Sequence, residues 1–228
     1  MGICTCQLFD LVTPPRLGPP EITEVHVCEA RLTLAWREAI CLRWKAPLTD
    51  SIGIRSYSIL RKTDTDTLFD IFAGSQIIPS SFDTFYDKID GKSLGFPNAD
   101  YRLIQYRIIA IDSLGRLSDT SAVCSLYLAC QPVLDTVDIG KSSFRWHSQY
   151  IQGSVASHIK LWDKTGSVSF TSARQEEFGS WDYPVYFSTT LPDSLSPFSP
   201  GTWYYAIYLF AMGTERQSIK VDSFNVAQ

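Results

Sequence analysis

Apolar side chains recur at every second position through most of this chain, in runs of only five to ten residues. In "YRIIAID" (106–112) Tyr106, Ile108 and Ala110 share one parity; in "RSYSILRK" (55–62) Tyr57, Ile59 and Arg61 share one, and Ser58, Leu60 and Lys62 the other. Successive side chains of a strand point to opposite faces, so a period of two predicts strands with one face toward a core. The same reading predicts strands in "EITEVHV" (21–27), in "RLTLAW" (31–36), where Leu32, Leu34 and Trp36 alternate, and in "ICLRWKAP" (40–47), which Pro47 ends. "LFDIFAG" (68–74) and "FDTFYDKI" (82–89) extend the series, separated by turn chemistry such as "TDTDT". No stretch of this interval pairs a 3.6-residue period with capping residues, so no helix is required.

After Cys130 the series begins again. "VLDTVDI", "SSFRWHS", "SHIKLWDK", "SVSFTSA", "YPVYFSTT", "TWYYAIYLFAM" and "RQSIKVDSFNV" supply a second set of short runs. Trp44 and Trp146 fall at matching places, each just ahead of the third strand of its set. Short strands at this spacing indicate sandwiches, and 228 residues suffice for two domains of about 100 residues. The expectation is an all-β protein with an extended Pro-rich tail over 1–18 ("LVTPPRLGPP"), one domain over 19–128 and a second over 129–228, each with its own core.

Several stretches resemble fibronectin type III domains. "YRIIAIDSLGRLSDTS" (106–121) is similar to that family's F strand, FG turn and G strand, with Tyr106, Ile108 and Ala110 inward and Asp112 to Gly115 turning. "LRWKAPLTDSIGIRSYSILRK" resembles its B strand, BC loop and C strand, with Trp44 in the core and Tyr57 and Ile59 facing it; "FYDKI" resembles strand E. "SPGTWYYAIYLFAMGTERQS" resembles the EF corner, F strand and FG turn a second time. The resemblance spans about 20–228 and implies two consecutive β-sandwiches of about seven antiparallel strands each. It places Trp44, Tyr57, Tyr106, Trp146 and Trp203 in the structural core. Two departures stand out. Ile104 occupies the position of the family's corner tyrosine in the first domain, with Trp203 or Tyr204 there in the second, and "CEARLTLAW" makes an inserted or lengthened A region.

Charge changes the picture little. Twenty basic and 24 acidic residues give a net −4, spread evenly: 12 against 14 over 21–128, and 7 against 9 over 129–228. A nucleic-acid binder needs a concentrated basic face, so that class is set aside. The longest apolar run, "WYYAIYLFAM", has ten residues, half of what a helix crossing a bilayer needs. Six cysteines lie at 4, 6, 28, 41, 124 and 130. "CTC" and "CSLYLAC" lack zinc spacing, and no metal or other cofactor is expected. Buried thiols or a disulfide suit the pattern better, with Cys28 and Cys41, each on an early strand, as the pair that would bridge.

Catalytic constellations do not assemble. His26, His147 and His158 form no His-Glu-x-x-His pair. "GKS" at Gly91 and at Gly140 lacks the glycine five residues earlier that a phosphate loop requires: Tyr86 and Asp135 stand there. Asp64, Asp66 and Asp70 lack the glycine and terminal glutamate of a calcium loop and read as a hairpin turn. "MGICTC" has Cys6 where a myristoylation signal takes Ser or Thr, which leaves a lipoprotein cysteine as the other membrane-anchor reading. No catalytic residue is assigned. "RQEEFGSWDYPVYF" (174–187) reads as a polar loop whose aromatics cap the sandwich, with Glu176, Glu177 and Asp182 beside them; two-sheet modules seldom enclose a deep cleft between carboxylates. If this chain binds a ligand through flat apolar faces, Trp181, Tyr183 and Tyr186 are the residues that offer them.

Two function classes follow. The resemblance implies a non-enzymatic module serving as spacer or protein-interaction surface in an exported or cell-surface protein, any leader peptide lying outside this sequence. The aromatic segment 176–187 admits a carbohydrate-binding or glycoside-active accessory protein as the alternative. A cytokine-receptor ectodomain is set aside, because "GTERQSIKVDSF" has no tryptophan where that class carries its Trp-Ser box. The partner is a protein or a glycan; the residues do not choose.

Overall fold

The computed structural model describes residues 17–32, 35–47, 53–71, 78–89, 94–97, 101–148, 153–166, 169–179, 183–192, 198–211 and 216–227, and every regular element among them is a β-strand. The first sandwich comprises β1 (Glu21–Leu32), β2 (Ala35–Lys45), β3 (Ile54–Thr63), β4 (Asp70–Ile71), β5 (Ile78–Pro79), β6 (Thr84–Lys88), β7 (Tyr101–Asp112) and β8 (Cys124–Ala129). One sheet runs β1-β2-β6; the other runs β8-β7-β3, with β4 and β5 both on the far edge of β3. The second comprises β9 (Val133–Asp138), β10 (Ser143–Ser148), β11 (Gly153–Asp163), β12 (Ser169–Thr171), β13 (Gln175–Gly179), β14 (Val185–Thr190), β15 (Gly201–Ala211) and β16 (Arg216–Val226). Its sheets repeat the plan, β9-β10-β14 against β16-β15-β11 with β12 and β13 on the edge of β11. The protein is thus two consecutive fibronectin type III-like sandwiches, an assignment carried by strand order.

The register repeats as well. On the β3–β7 ladder Ile59 faces Ile108 and Arg61 faces Tyr106; on the β11–β15 ladder Ile159 faces Ile207 and Leu161 faces Tyr205. Strand β2 buries Trp44 edge-on against Tyr57 at 5.2 Å, and β10 buries Trp146 at the corresponding place, stacked on Phe187 at 6.0 Å. The Trp146 indole N–H donates to Ser157 Oγ at 2.7 Å. Tyr106 is fully buried, and its hydroxyl donates to Asp87 Oδ2 at 2.7 Å. Ile104 is buried without a polar handle, whereas Trp203, near the start of β15, donates its indole N–H to the Ser199 carbonyl at 3.0 Å. That bond back to the chain four residues upstream serves the second domain as a tyrosine corner would.

Local expectations fail in three places, each for a physical reason. "RLTLAW" is not one strand: β1 ends at Leu32 and β2 opens at Ala35, antiparallel to it, so the alternation spans two strands, and Leu34 lies outside the described residues. The last strand of the first domain does not start within 117–121. There Ser118 and Ser121 take ladder bonds from β7 with both backbone and hydroxyl (Ser118 N to Ala110 O 2.9 Å, Ala110 N to Ser118 Oγ 2.9 Å, Ser121 N to Ile108 O 2.9 Å, Ile108 N to Ser121 Oγ 2.9 Å). Regular pairing resumes only at Cys124, opposite Tyr106. The third is "QEEFG", read as loop and found as β13, paired with β11.

The two domains do not keep their cores apart. The β1–β2 hairpin is long, and its distal half lies on the outer face of the β11-β15-β16 sheet. Trp36 meets Trp162 edge-on at 5.1 Å, and Trp162 stacks on Tyr204 at 6.0 Å. Buried Trp162, Ala206, Ile219 and Val221 belong to the same apolar cluster as Trp44 and Tyr106, while Trp146 and Trp203 centre a second cluster. Polar bonds close this seam: Glu38 Oε1 accepts from Val221 N at 3.1 Å and from Gln131 Nε2 at 2.9 Å, and Lys160 pairs with Glu29. A short parallel pairing of β8 with β16, Tyr127 facing Arg216, joins the two large sheets into one.

Candidate functional site

The outer face of the β9-β10-β14 sheet carries the most concentrated exposed aromatic and polar chemistry. On β10, alternation turns Phe144 and Trp146 inward, which leaves Arg145 and His147 outside. On β14 the same rule buries Val185 and Phe187 and exposes Tyr186, directly opposite His147 in the register. The Tyr186 ring lies beside His147, centroids 5.4 Å apart, with the Arg145 guanidinium 4.7 Å from its centre. His147 Nδ1 lies 2.7 Å from Asp135 Oδ1 on β9, which fixes the imidazole orientation. The row Asp135, His147, Tyr186, Arg145 is therefore preorganised by strand geometry and not by a loop.

Strand β13 lies on the edge of the other sheet, where Phe178, opposite Ser154, shares the outward parity of Ala156 and His158 on β11. The Gln175 side-chain amide donates to the Ser188 carbonyl and accepts from Ser188 N at 3.3 Å, clasping β13 to β14 across the two sheets. Phe178 on β13 is 80% exposed, Tyr183 is 74% exposed and Tyr186 50%, so three aromatic side chains stand in solvent within nine residues. Trp181 and Asp182 lie outside the described residues. Glu176 and Glu177 are consecutive on a strand and so project to opposite faces, which prevents them from acting as a carboxylate pair across one bond. Arg174 lies 3.8 Å from Glu176. What the arrangement offers is recognition: apolar rings, a guanidinium and a carboxylate–imidazole pair.

Other candidate motifs resolve into turns. Asp66 Oδ2 accepts from Thr63 N at 2.8 Å and Thr63 Oγ1 at 2.7 Å, and those bonds hold its carboxyl below the usual range. The "GKS" at Gly140 is the β9–β10 turn, with Lys141 N on Asp138 Oδ1 at 3.0 Å and Ser142 at φ 49°. The "GKS" at Gly91 lies outside the described residues. No group of three or more metal-ligating side chains occurs among the described residues. Cys28 faces Ala39 and Cys41 faces His26, so the two thiols are diagonal neighbours on β1 and β2. Both are free thiols in this structure; the Cys28 S–H donates to Cys41 sulfur, which pushes the Cys28 pKa up and draws that of Cys41 down.

A feature with no local sequence signal lies elsewhere. Between the domains opens a cleft of about 890 Å³, formed by β2, β6 and the start of β9 with β15 and β16.

No family model matches the chain, and no curated protein sequence does. Among solved structures, the FN1-FN3 domains of chicken CNTN1 align at 15% identity and a TM-score of 0.29, over 94% of this chain and 66% of that one. The chicken interferon gamma receptor alpha chain aligns at 10% identity and a TM-score of 0.29, over 93% and 100%. The fold assignment follows from the strand order and register of the two sandwiches.

Proposed function

We propose that this chain is a non-enzymatic interaction module of an exported or cell-surface protein, in which two sandwiches fused into one unit present the Tyr186 face of the β9-β10-β14 sheet, with Arg145 and His147, to a protein partner. The supporting observation is the seam. Domains joined through small polar contacts move against each other by default, and a seam in which buried Trp162 meets Trp36 edge-on and stacks on Tyr204 favours a rigid spacer instead. Rigid aromatic side chains lose little entropy on docking, and Tyr, Trp and Arg dominate such surfaces. The Arg145 guanidinium over the Tyr186 ring favours a protein partner over a sugar, because it occupies an aromatic face on which a sugar ring would stack.

Placing a photo-crosslinking amino acid at Tyr186 in the full protein on its native cells tests this reading. A discrete protein adduct at Tyr186, absent when the same group replaces Lys141, is expected; no adduct at either position overturns it. The glycan alternative rests on the exposed rings of Tyr183 and Phe178, and Trp181 belongs to it as well. Glycan-array binding that Tyr183→Ala and Trp181→Ala abolish supports that alternative, and no binding to any glycan ends it. The exported compartment carries its own expectation, a Cys28–Cys41 disulfide in protein taken from its native source. Non-reducing peptide mapping that finds both thiols free there contradicts export.

A further inference from the structure

The cleft between the sandwiches has chemistry of its own, separate from the aromatic surface. Its lining is mostly polar, with apolar surface from half-buried Phe96 and from the edges of buried Ile89, Pro132 and Tyr205. Its rim carries Arg37 and Lys88 from the first domain and Lys220 from the second. Lys88 faces Ala39 in the β2–β6 register, and Arg37 is the next residue of that parity on β2. The two cations are therefore diagonal neighbours on one side of the sheet, a separation at which long side chains interact. Neither forms an ion pair among the described residues. The two carboxylates of the cleft are already engaged. Glu38 Oε1 accepts from Gln131 and from the Val221 amide, and Asp222 accepts from Ser223 N at 2.8 Å, with Lys220 3.8 Å away.

Two neighbouring cations without a counter-ion repel each other, and an arriving anion relieves that repulsion while gaining charge-assisted hydrogen bonds. The walls are set before any ligand arrives, because the Glu38 bonds pin β2 to β16 and Gln131 at the cleft itself. The volume falls within the range of roughly 300–1,000 Å³ of small-molecule sites, which concentrate at domain interfaces. We propose that this interdomain cleft is a binding site for an organic anion, a carboxylate or sulfonate whose charge meets Arg37 and Lys88 and whose ring or chain lies on Tyr205, Pro132 and Phe96.

A matched probe pair tests the assignment on the intact chain: 8-anilino-1-naphthalenesulfonate and its uncharged analogue N-phenyl-1-naphthylamine, which share an apolar body and differ in the anion. The sulfonate is expected to bind one to one and about 10-fold tighter than the neutral probe, with amide shift changes at Ile89, Gln131 and Lys220. The double variant Arg37→Glu/Lys88→Glu should erase that preference, Arg37→Gln/Lys88→Gln should reduce it, and Lys141→Glu, in a distant exposed turn, should leave it intact. Both rim side chains are exposed, and circular dichroism verifies that each variant keeps its sheet. Equal affinity for the two probes overturns the proposal. So does a preference that survives charge reversal, shifts clustered at Phe178 and Tyr183, or no binding of either probe.

Discussion

The two sandwiches share one frame and fill it with opposite chemistry. In the first, the position facing Tyr106 is Arg61, whose Nη1 donates to both oxygens of the fully buried Asp87 at 3.1 and 2.9 Å, and Asp87 also accepts from Tyr106. In the second, the position facing Tyr205 is Leu161, packed in a core cluster with Leu191. The tryptophans differ in the same way but in reverse: Trp44 leans on the Tyr57 ring, while Trp146 donates to Ser157, whose hydroxyl in turn donates to the Tyr208 carbonyl at 2.6 Å. One topology thus tolerates a polar or an apolar solution at each keyed position, although the apolar one leaves the buried Trp44 indole N–H without an acceptor among the described residues.

The largest consequence concerns that buried triad. Asp87→Ala removes the buried carboxylate that the Arg61 guanidinium and the Tyr106 hydroxyl share and should cost about 3–5 kcal/mol, measured by urea unfolding. Arg61→Leu with Asp87→Leu copies the second domain's solution and should cost far less than the single change; equal losses in the two variants would remove the distinction between the domains. Next in size is the seam. Trp36→Ala should weaken domain coupling by roughly 2 kcal/mol and split one calorimetric transition into two. A single unsplit transition in that variant would show that Trp36 does not couple them.

Alkaline pH sharpens the comparison further. Burial first, then the Asp87 charge, pushes the Tyr106 pKa up, and burial followed by Asp222 and Glu38 does the same to Tyr205. The unfolded chain releases these phenolic protons near pH 10 while the folded chain retains them, so stability should fall as pH rises past about 10. Tyr106→Phe should lessen that fall in the first domain and leave the second unchanged. On the acid side, burial followed by the positive Arg174 holds His158 below its ordinary value. The unfolded state binds that proton first, so stability should decline as pH drops below about 6.5, and His158→Phe should flatten the slope. This is the smallest effect, since His158 is only partly buried, stacked on Tyr208 at 4.7 Å.

Most of the strands were legible because alternation is a local signal, as Tyr106, Ile108 and Ala110 illustrate. The end of β1 at Leu32 was not, since Leu32, Leu34 and Trp36 keep one parity in the sequence. Nor was β13, whose consecutive glutamates carry no apolar parity although it pairs with β11. Serine hydroxyls that complete the β7 ladder hid where β8 begins. Of the candidate surface, Tyr183 and Tyr186 could be named from aromatic density alone. Asp135 and Arg145 could not, because only the sheet brings them beside His147 and Tyr186. The cleft was invisible for the same reason on a longer scale, as Arg37, Lys88 and Lys220 converge from strands far apart in the chain.

The fused module depends most on the hairpin of the first domain being seated on the sheet of the second. Residual dipolar couplings measured on the intact chain in a weakly aligning medium test this most directly. A single alignment tensor, of one magnitude and orientation, should fit the amides of β3 and β7 together with those of β11 and β15. Two tensors of different magnitude would mean that the sandwiches move independently, and the fused module would be wrong.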